Sequence, residues 1–236
     1  MSLPRLSQLV ELAVDSFFPK QCVGCGKVGA FLCPICKEKL PKLLPPICPK
    51  CGRPQASGML CPSCWQRQSE FDGIRSPFRF DEVMRKAIHQ LKYRNLKAIS
   101  PYLAQLLFDY LESNPLPGEA LIPVPLHPRR LRERGYNQSS FLARELGKLT
   151  NLLVIEDCLI RVKEAQPQVK AANMEERRRN VIDAFACRDK RVDSKQIILI
   201  DDVCTSGATL ESCATALKSR GAISVWGLTL AREIYK

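Results

Sequence analysis

Apolar positions along this chain recur at two spacings, every three to four residues or in short near-continuous runs, and the two kinds of segment alternate. Residues 3–18 put Leu6, Leu9, Val10, Ala13, Val14 and Phe17 on one face, which predicts an amphipathic helix. Arg5, Glu11 and Asp15 interrupt that run and no small-residue cleavage site follows, so it reads as a helix packed on the protein rather than a signal or span. An extended stretch is expected at 71–80. Two helices follow, at 81–94 (Met84, Ile88, Leu91) and 101–113 (Leu103, Leu106, Leu107, Tyr110, Leu111). Residues 120–126 read as a strand entering a turn, because Pro123 and Pro125 cannot donate to a ladder. A helix at 137–149 aligns Leu142, Leu146 and Leu149, and short strands are expected at 152–155 and 181–186. The run QIILI at 196–200 is a buried strand. A helix at 207–220 turns Leu210, Cys213, Ala214 and Leu217 inward, with Gly221 as its cap, and a strand at 223–230 closes the chain. Strands alternating with helices predict an α/β fold with right-handed crossovers and a mainly parallel sheet.

This alternation fails before residue 70. Residues 19–64 are dense in Cys, Pro, Gly and Lys and hold too few large aliphatics to fold without a staple. Eight of the twelve cysteines lie there, in CxxC pairs at 22/25, 33/36, 48/51 and 61/64. Such pairs suit thiolate ligation of a metal in a reducing compartment better than a secreted disulfide framework. Cys22, Cys25, Cys33 and Cys36 would close one tetrahedral site, and Cys48, Cys51, Cys61 and Cys64 another. A cross-braced pairing (22/25 with 48/51, 33/36 with 61/64) stays open, as does redox or iron–sulfur use. Cys158, Cys187, Cys204 and Cys213 lack pair spacing and read as small buried hydrophobes. The expected division is therefore 1–70, a helix and a Cys-rich module, and 71–236, an α/β domain. No stretch has the roughly 18 unbroken apolar residues of a membrane span, so a cytoplasmic protein without membrane insertion is expected.

The chemistry concentrates at 197–209, IILIDDVCTSGAT. A buried strand delivers Asp201 and Asp202 to its end, and a turn with Thr205, Ser206, Gly207, Ala208 and Thr209 opens a helix. Unsatisfied N–H groups at a helix start, with hydroxyls added, suit a phosphate monoester. The adjacent acids suit paired ribose hydroxyls or a hydrated Mg²⁺. The plainer alternative is an ordinary turn with Thr205 or Ser206 as N-cap. Neither GxxxxGK[ST] nor GxGxxG occurs, and two histidines without HExxH exclude a zincin-type protease. The 36 Lys plus Arg exceed 24 Asp plus Glu, giving +12, so a phosphate-rich partner is expected. Arginines cluster at Arg129, Arg130, Arg132 and Arg134, and again at Arg177, Arg178 and Arg179. Trp65, Tyr93 and Tyr136 are candidates for stacking bases.

Hydrophobics, two acids and a T-x-G-x-T turn resemble the signature of type I phosphoribosyltransferases, which binds 5-phosphoribosyl 1-pyrophosphate (PRPP). HQLKYR (89–94), LIPVPLHPRRLRERGYNQ (121–138), RRRNVIDAF within 166–185, QIILIDDVCTSGATL and the CxxC module after FFPKQC narrow the resemblance to the ComF/GntX family. Ser206 stands where many members carry a second Thr, and the hydroxyl is kept. The resemblance implies a type I phosphoribosyltransferase-like fold behind an amino-terminal double zinc ribbon, with two structural Zn²⁺. It implies that Asp201 and Asp202 hold ribose hydroxyls and residues 205–209 the 5′-phosphate of PRPP, with Mg²⁺. It places a pyrophosphate loop at Pro125, Leu126, His127 and Arg129, and a mobile loop at 165–180 carrying Lys170 and Arg177–Arg179. It also implies a part in DNA uptake and natural transformation, with single-stranded DNA and DNA-uptake proteins as partners. The alternative is a true phosphoribosyltransferase that displaces pyrophosphate with a nitrogen acceptor.

Overall fold

A computed structural model of the chain describes residues 19–93, 97–162 and 184–234. The helix expected at 3–18 and the loop expected at 165–180, with Arg177–Arg179, lie outside the described residues.

Two short helices belong to the Cys-rich module, α1 (Pro34–Glu38) and α2 (Pro62–Trp65), each begun by a proline directly after a cysteine. Proline fits the first helical position because its missing N–H would have no partner there. The α/β part then runs through β1 (Gly73–Arg75), β2 (Phe78–Arg79), α3 (Glu82–Tyr93), α4 (Ser100–Ser113) and β3 (Ala120–Pro123). It continues through α5 (Pro128–Arg134), α6 (Gln138–Thr150), β4 (Leu153–Val154), β5 (Leu159–Arg161) and β6 (Phe185–Cys187). It ends with β7 (Gln196–Cys204), α7 (Ala208–Lys218) and β8 (Ser224–Arg232).

The main sheet has the order β1-β8-β7-β3-β4, with β2 also on β8, and all its pairings are parallel. Parallel strands covered on both faces need apolar residues at every position, and β7 supplies them. Ile198 and Ile200 enter the core shared with α3, α4 and α6, whereas Ile197 and Leu199 enter the one shared with α7. The chain leaves β3 outward to β4 but returns to β7 on the other side. The order therefore reverses between β3 and β7, and in such sheets ligands bind beyond the strand ends at that reversal. Among the described residues, no helix is long and apolar enough to cross a membrane.

Several expectations shift. The strand of 120–126 ends at Pro123, although the Val124 N–H still bonds the Ile200 carbonyl at 2.9 Å. The stretch taken as a turn holds α5, which Gly135 closes in a left-handed conformation. β5 was not anticipated. It pairs antiparallel with β6, which covers the described end of the strand expected at 181–186; residues 181–183 lie outside the described residues. Leu149 is 37% exposed rather than aligned with the core. Gly221 ends α7 as expected: it is left-handed at φ 93°, its N–H bonds the Lys218 carbonyl at 3.0 Å, and the Ala222 N–H bonds the Leu217 carbonyl at 3.3 Å.

Candidate functional site

The turns after β3 and β7 lie side by side at the reversal. β7 carries Asp201 and Asp202 to its carboxyl end, and the chain bends through Thr205 and Ser206 into α7. The N-cap is Gly207, left-handed at φ 85°, and no side chain caps the helix. The ordinary-turn alternative with Thr205 or Ser206 as N-cap is therefore not what forms. Ser206 Oγ accepts from the Ala208 N–H at 3.3 Å, inside the first turn. A Cβ on Gly207 would stand 3.2 Å from Ile74 Cδ1, so the loop is seated closely on β1.

Two groups that the sequence did not single out hold the acids. Ser139 at the start of α6 donates to Asp201 Oδ1 at 3.0 Å, and the Asp202 N–H donates to the same oxygen at 2.9 Å. Lys92, near the end of α3, forms an ion pair with Asp202. Burial first, and then the adjacent Asp202 charge, raise the Asp201 carboxyl to about 8. Raised in this way, the Asp201 carboxyl favours its neutral form beside the Asp202–Lys92 ion pair, and the two side chains together offer oxygens to hydroxyl donors.

At the neighbouring turn, Asn137 Nδ2 donates to the Val124 carbonyl at 3.0 Å and pins the start of the loop. His127 serves as N-cap of α5, its Nδ1 accepting from the Arg129 N–H at 3.2 Å. Arg129 reaches Glu133 at 3.0 Å, and Arg130 and Arg132 are exposed beside it. Tyr136 does not face solvent as a stacking candidate. It is buried, with its hydroxyl donating to the Leu91 carbonyl. Trp65 is 75% exposed, and the Tyr93 side chain lies outside the described residues.

The eight paired cysteines gather in two sequential quartets, Cys22, Cys25, Cys33, Cys36 and Cys48, Cys51, Cys61, Cys64, with sulfurs in each within 4.8 Å of one another. Tetrahedral zinc with Zn–S of about 2.3 Å needs sulfurs about 3.8 Å apart. Cys25–Cys33 and Cys51–Cys61 stand at 3.7 Å, so both quartets fit that ion and the cross-braced pairing does not form. The Cys51 thiol is pulled down to about 4, chiefly by the Cys64 hydrogen bond and, against burial, by the Arg232 charge. The four remaining cysteines are buried, as expected.

A cavity of about 580 Å³ runs from Ser206, Gly207 and Ala208 to the second quartet, with Phe71 and Phe185 on its wall. Glu211 lines it, accepting from the Glu70 N–H at 2.9 Å through one oxygen while burial raises its carboxyl.

The double zinc ribbon domain model matches residues 13–65. Competence protein ComFC of Bacillus subtilis (strain 168) is 31% identical over 240 residues, covering 97% of each chain. The DNA utilization protein YhgH of Escherichia coli O157:H7 is 28% identical over 210 residues, 86% of this chain and 91% of its own. Among solved structures, glutamine phosphoribosylpyrophosphate (PRPP) amidotransferase from B. subtilis is similar with a TM-score of 0.40 and 15% identity. That likeness covers 59% of this chain and 30% of the amidotransferase.

Proposed function

Since the chain belongs to the ComF family of competence proteins, we propose that it is a cytoplasmic PRPP-binding protein that handles single-stranded DNA during DNA uptake. The observation that carries the PRPP half is the start of α7, whose N-cap glycine has no side chain to cap it, beside the Asp201–Asp202 pair at the reversal of the sheet. In this reading residues 205–209 take the 5′-phosphate, the acids take the ribose hydroxyls, and Pro125, Leu126, His127 and Arg129 face the pyrophosphate. Arg177–Arg179, which lie outside the described residues, are assigned to the same ligand only by the family resemblance. Asp202 already carries Lys92, so Mg²⁺ belongs with the incoming pyrophosphate rather than with the free acids. Two Zn²⁺ staple residues 1–70, and the 71–236 part bears the site on its type I phosphoribosyltransferase-like fold.

The DNA half draws on the exposed Arg129, Arg130 and Arg132 next to the pyrophosphate turn and on the name of the YhgH relative. DNA-uptake proteins would meet the same face. The second reading, a phosphoribosyltransferase, is favoured by the cavity of about 580 Å³ that begins at Ser206 and gives an acceptor room. There the C1–O bond to pyrophosphate would break as a bond from C1 to nitrogen forms.

Thermal denaturation with PRPP and Mg²⁺ tests the site. A ligand at 100 times its Kd stabilises by about 2.7 kcal/mol, and Asp201→Asn with Asp202→Asn should abolish that gain. An undiminished gain in the double variant removes the assignment. In the same samples, release of pyrophosphate on adding nucleobases selects the transferase reading. Binding of a single-stranded oligonucleotide that weakens with salt, without release, selects the first.

A further inference from the structure

Arg232, the last residue of β8, is 1% exposed, which makes it a fully buried cation. A buried charge without compensation is costly and is normally paired. Among the described residues Arg232 forms no ion pair with a carboxylate. Its Nη1 donates to Cys204 Sγ at 3.0 Å, and its Nε has no partner. Cys204 is deeply buried in an apolar setting, so its neutral thiol offers a contact but no counter-charge. Arg232 shares one cavity with Cys51, Cys61 and Cys64 of the second quartet, and Arg53, Arg67 and Glu211 are on the same wall. One oxygen of Glu211 is taken by the Glu70 N–H. Four thiolates around a divalent ion carry a net charge of about −2, which is the missing counter-charge.

The same place is tied to the phosphate loop twice. Arg232 pairs in register with Cys204, the residue before Thr205. The Ile74 N–H donates to the Lys50 carbonyl at 2.8 Å, and a Cβ on Gly52 would lie 2.4 Å from the Ile74 carbonyl oxygen. Ile74 therefore has the second knuckle against its backbone and Gly207 against its side chain.

We propose that Arg232 is the counter-cation of the second cysteine quartet, and that metal there holds the 205–209 loop in its anion-binding shape through Arg232 and Ile74. Arg232 is a positioning residue in this scheme and touches no substrate. The loop half rests on the PRPP reading above; the metal half does not.

The test uses the full chain carrying its zinc, with Arg232→Met and Arg232→Lys. Met removes the charge and keeps the length, and exchanging a buried ion for an apolar group commonly leaves folding intact. Zinc release to a colorimetric chelator is followed in time, and Cys25→Ser and Cys64→Ser identify which phase belongs to which quartet. Loss of such an outer partner typically weakens a metal site about 10- to 100-fold. Arg232→Met should release the second-quartet zinc at least about tenfold faster with the first unchanged, and Arg232→Lys should restore much of the difference. Equal release from all three proteins overturns the proposal, as does equal acceleration of both phases. PRPP affinity by calorimetry should fall in Arg232→Met and in Cys64→Ser but hold in Cys25→Ser. Unchanged affinity in the first two overturns the coupling. Wild-type protein that binds no PRPP defeats the function proposed above, and the release phases still decide Arg232.

Discussion

The two cysteine quartets are built alike and attached differently. In each, the third cysteine is the N-cap of a short helix begun by proline, and its N–H donates to the sulfur of the first cysteine, at 3.3 Å from Cys33 to Cys22 and 3.4 Å from Cys61 to Cys48. Beyond that they part. The first quartet's neighbours Val23, Phe31, Leu32 and Leu40 belong to the same core as Met84, Leu91 and Leu103, and Phe31 meets Tyr102 edge-on at 5.6 Å. The second has a core of little more than its own Cys48, Cys51 and Cys61 with Leu60 beside them. It is joined to the sheet by the Lys50–Ile74 hydrogen bond, the close approach at Gly52 and the buried Arg232. One quartet is held by buried apolar area, whereas the other is held by backbone contact and charge. A shared ligand motif therefore does not imply a shared dependence on the metal.

Stripping the metal should break the comparison most strongly. Structural zinc contributes about 10–16 kcal/mol of apparent binding energy in small finger peptides at neutral pH, far more than the contacts of the second quartet can replace. In hydrogen exchange after chelation, amides of 47–64 should lose protection entirely, while those of 31–40 keep part of theirs through the core under Phe31. Simultaneous and complete loss in both segments would show that apolar docking makes no difference.

What was legible in the sequence follows from whether partners are close along the chain. Asp201, Asp202 and the 205–209 turn form one continuous strand–turn–helix unit, and the quartets announce themselves by CxxC spacing. Ser139 lies 62 residues from Asp201, and Lys92 and Arg232 come from the ends of α3 and β8. Each is an ordinary polar residue in its own segment, and only the sheet order brings it to its partner. Tyr136 misled for the same reason. It stands among arginines in sequence, yet its ring is buried and meets Phe141 at 5.5 Å. Helix α5 was hidden because its start falls in the stretch after Pro123 and Pro125 that reads as a turn and loop, although Pro128 sits at the first helical position, where proline is favoured.

A second prediction sharpens the contrast at constant metal. Phe31→Ala in the zinc-loaded chain removes a buried ring from the shared core and should cost about 3–5 kcal/mol. Leu60→Ala touches only the small cluster of the second quartet, where Leu60 is partly buried, and should cost about 1 kcal/mol or less, in line with its exposure. Urea unfolding of both variants measures the difference. A Leu60 variant as damaged as the Phe31 variant would place apolar docking under both quartets alike.

The smallest effect concerns the ion pair that also links the first quartet to α4. Lys37 Nζ stands 2.8 Å from Asp109 Oδ2, and the side chains are 47% and 44% exposed. Gln105 Nε2 already donates to the other oxygen of Asp109 at 2.8 Å, so the carboxylate keeps a partner when the lysine is lost. Pairs this exposed contribute about 0.2–1 kcal/mol and are screened by salt. Lys37→Met should therefore lower Tm by no more than about 2–4 °C at low ionic strength. The difference should vanish at about 1 M salt, where the screening length shrinks to about 3 Å. A loss comparable with Phe31→Ala, or one that salt leaves untouched, would mean that charge rather than apolar area seats the first quartet, and the distinction between the two modules would fall.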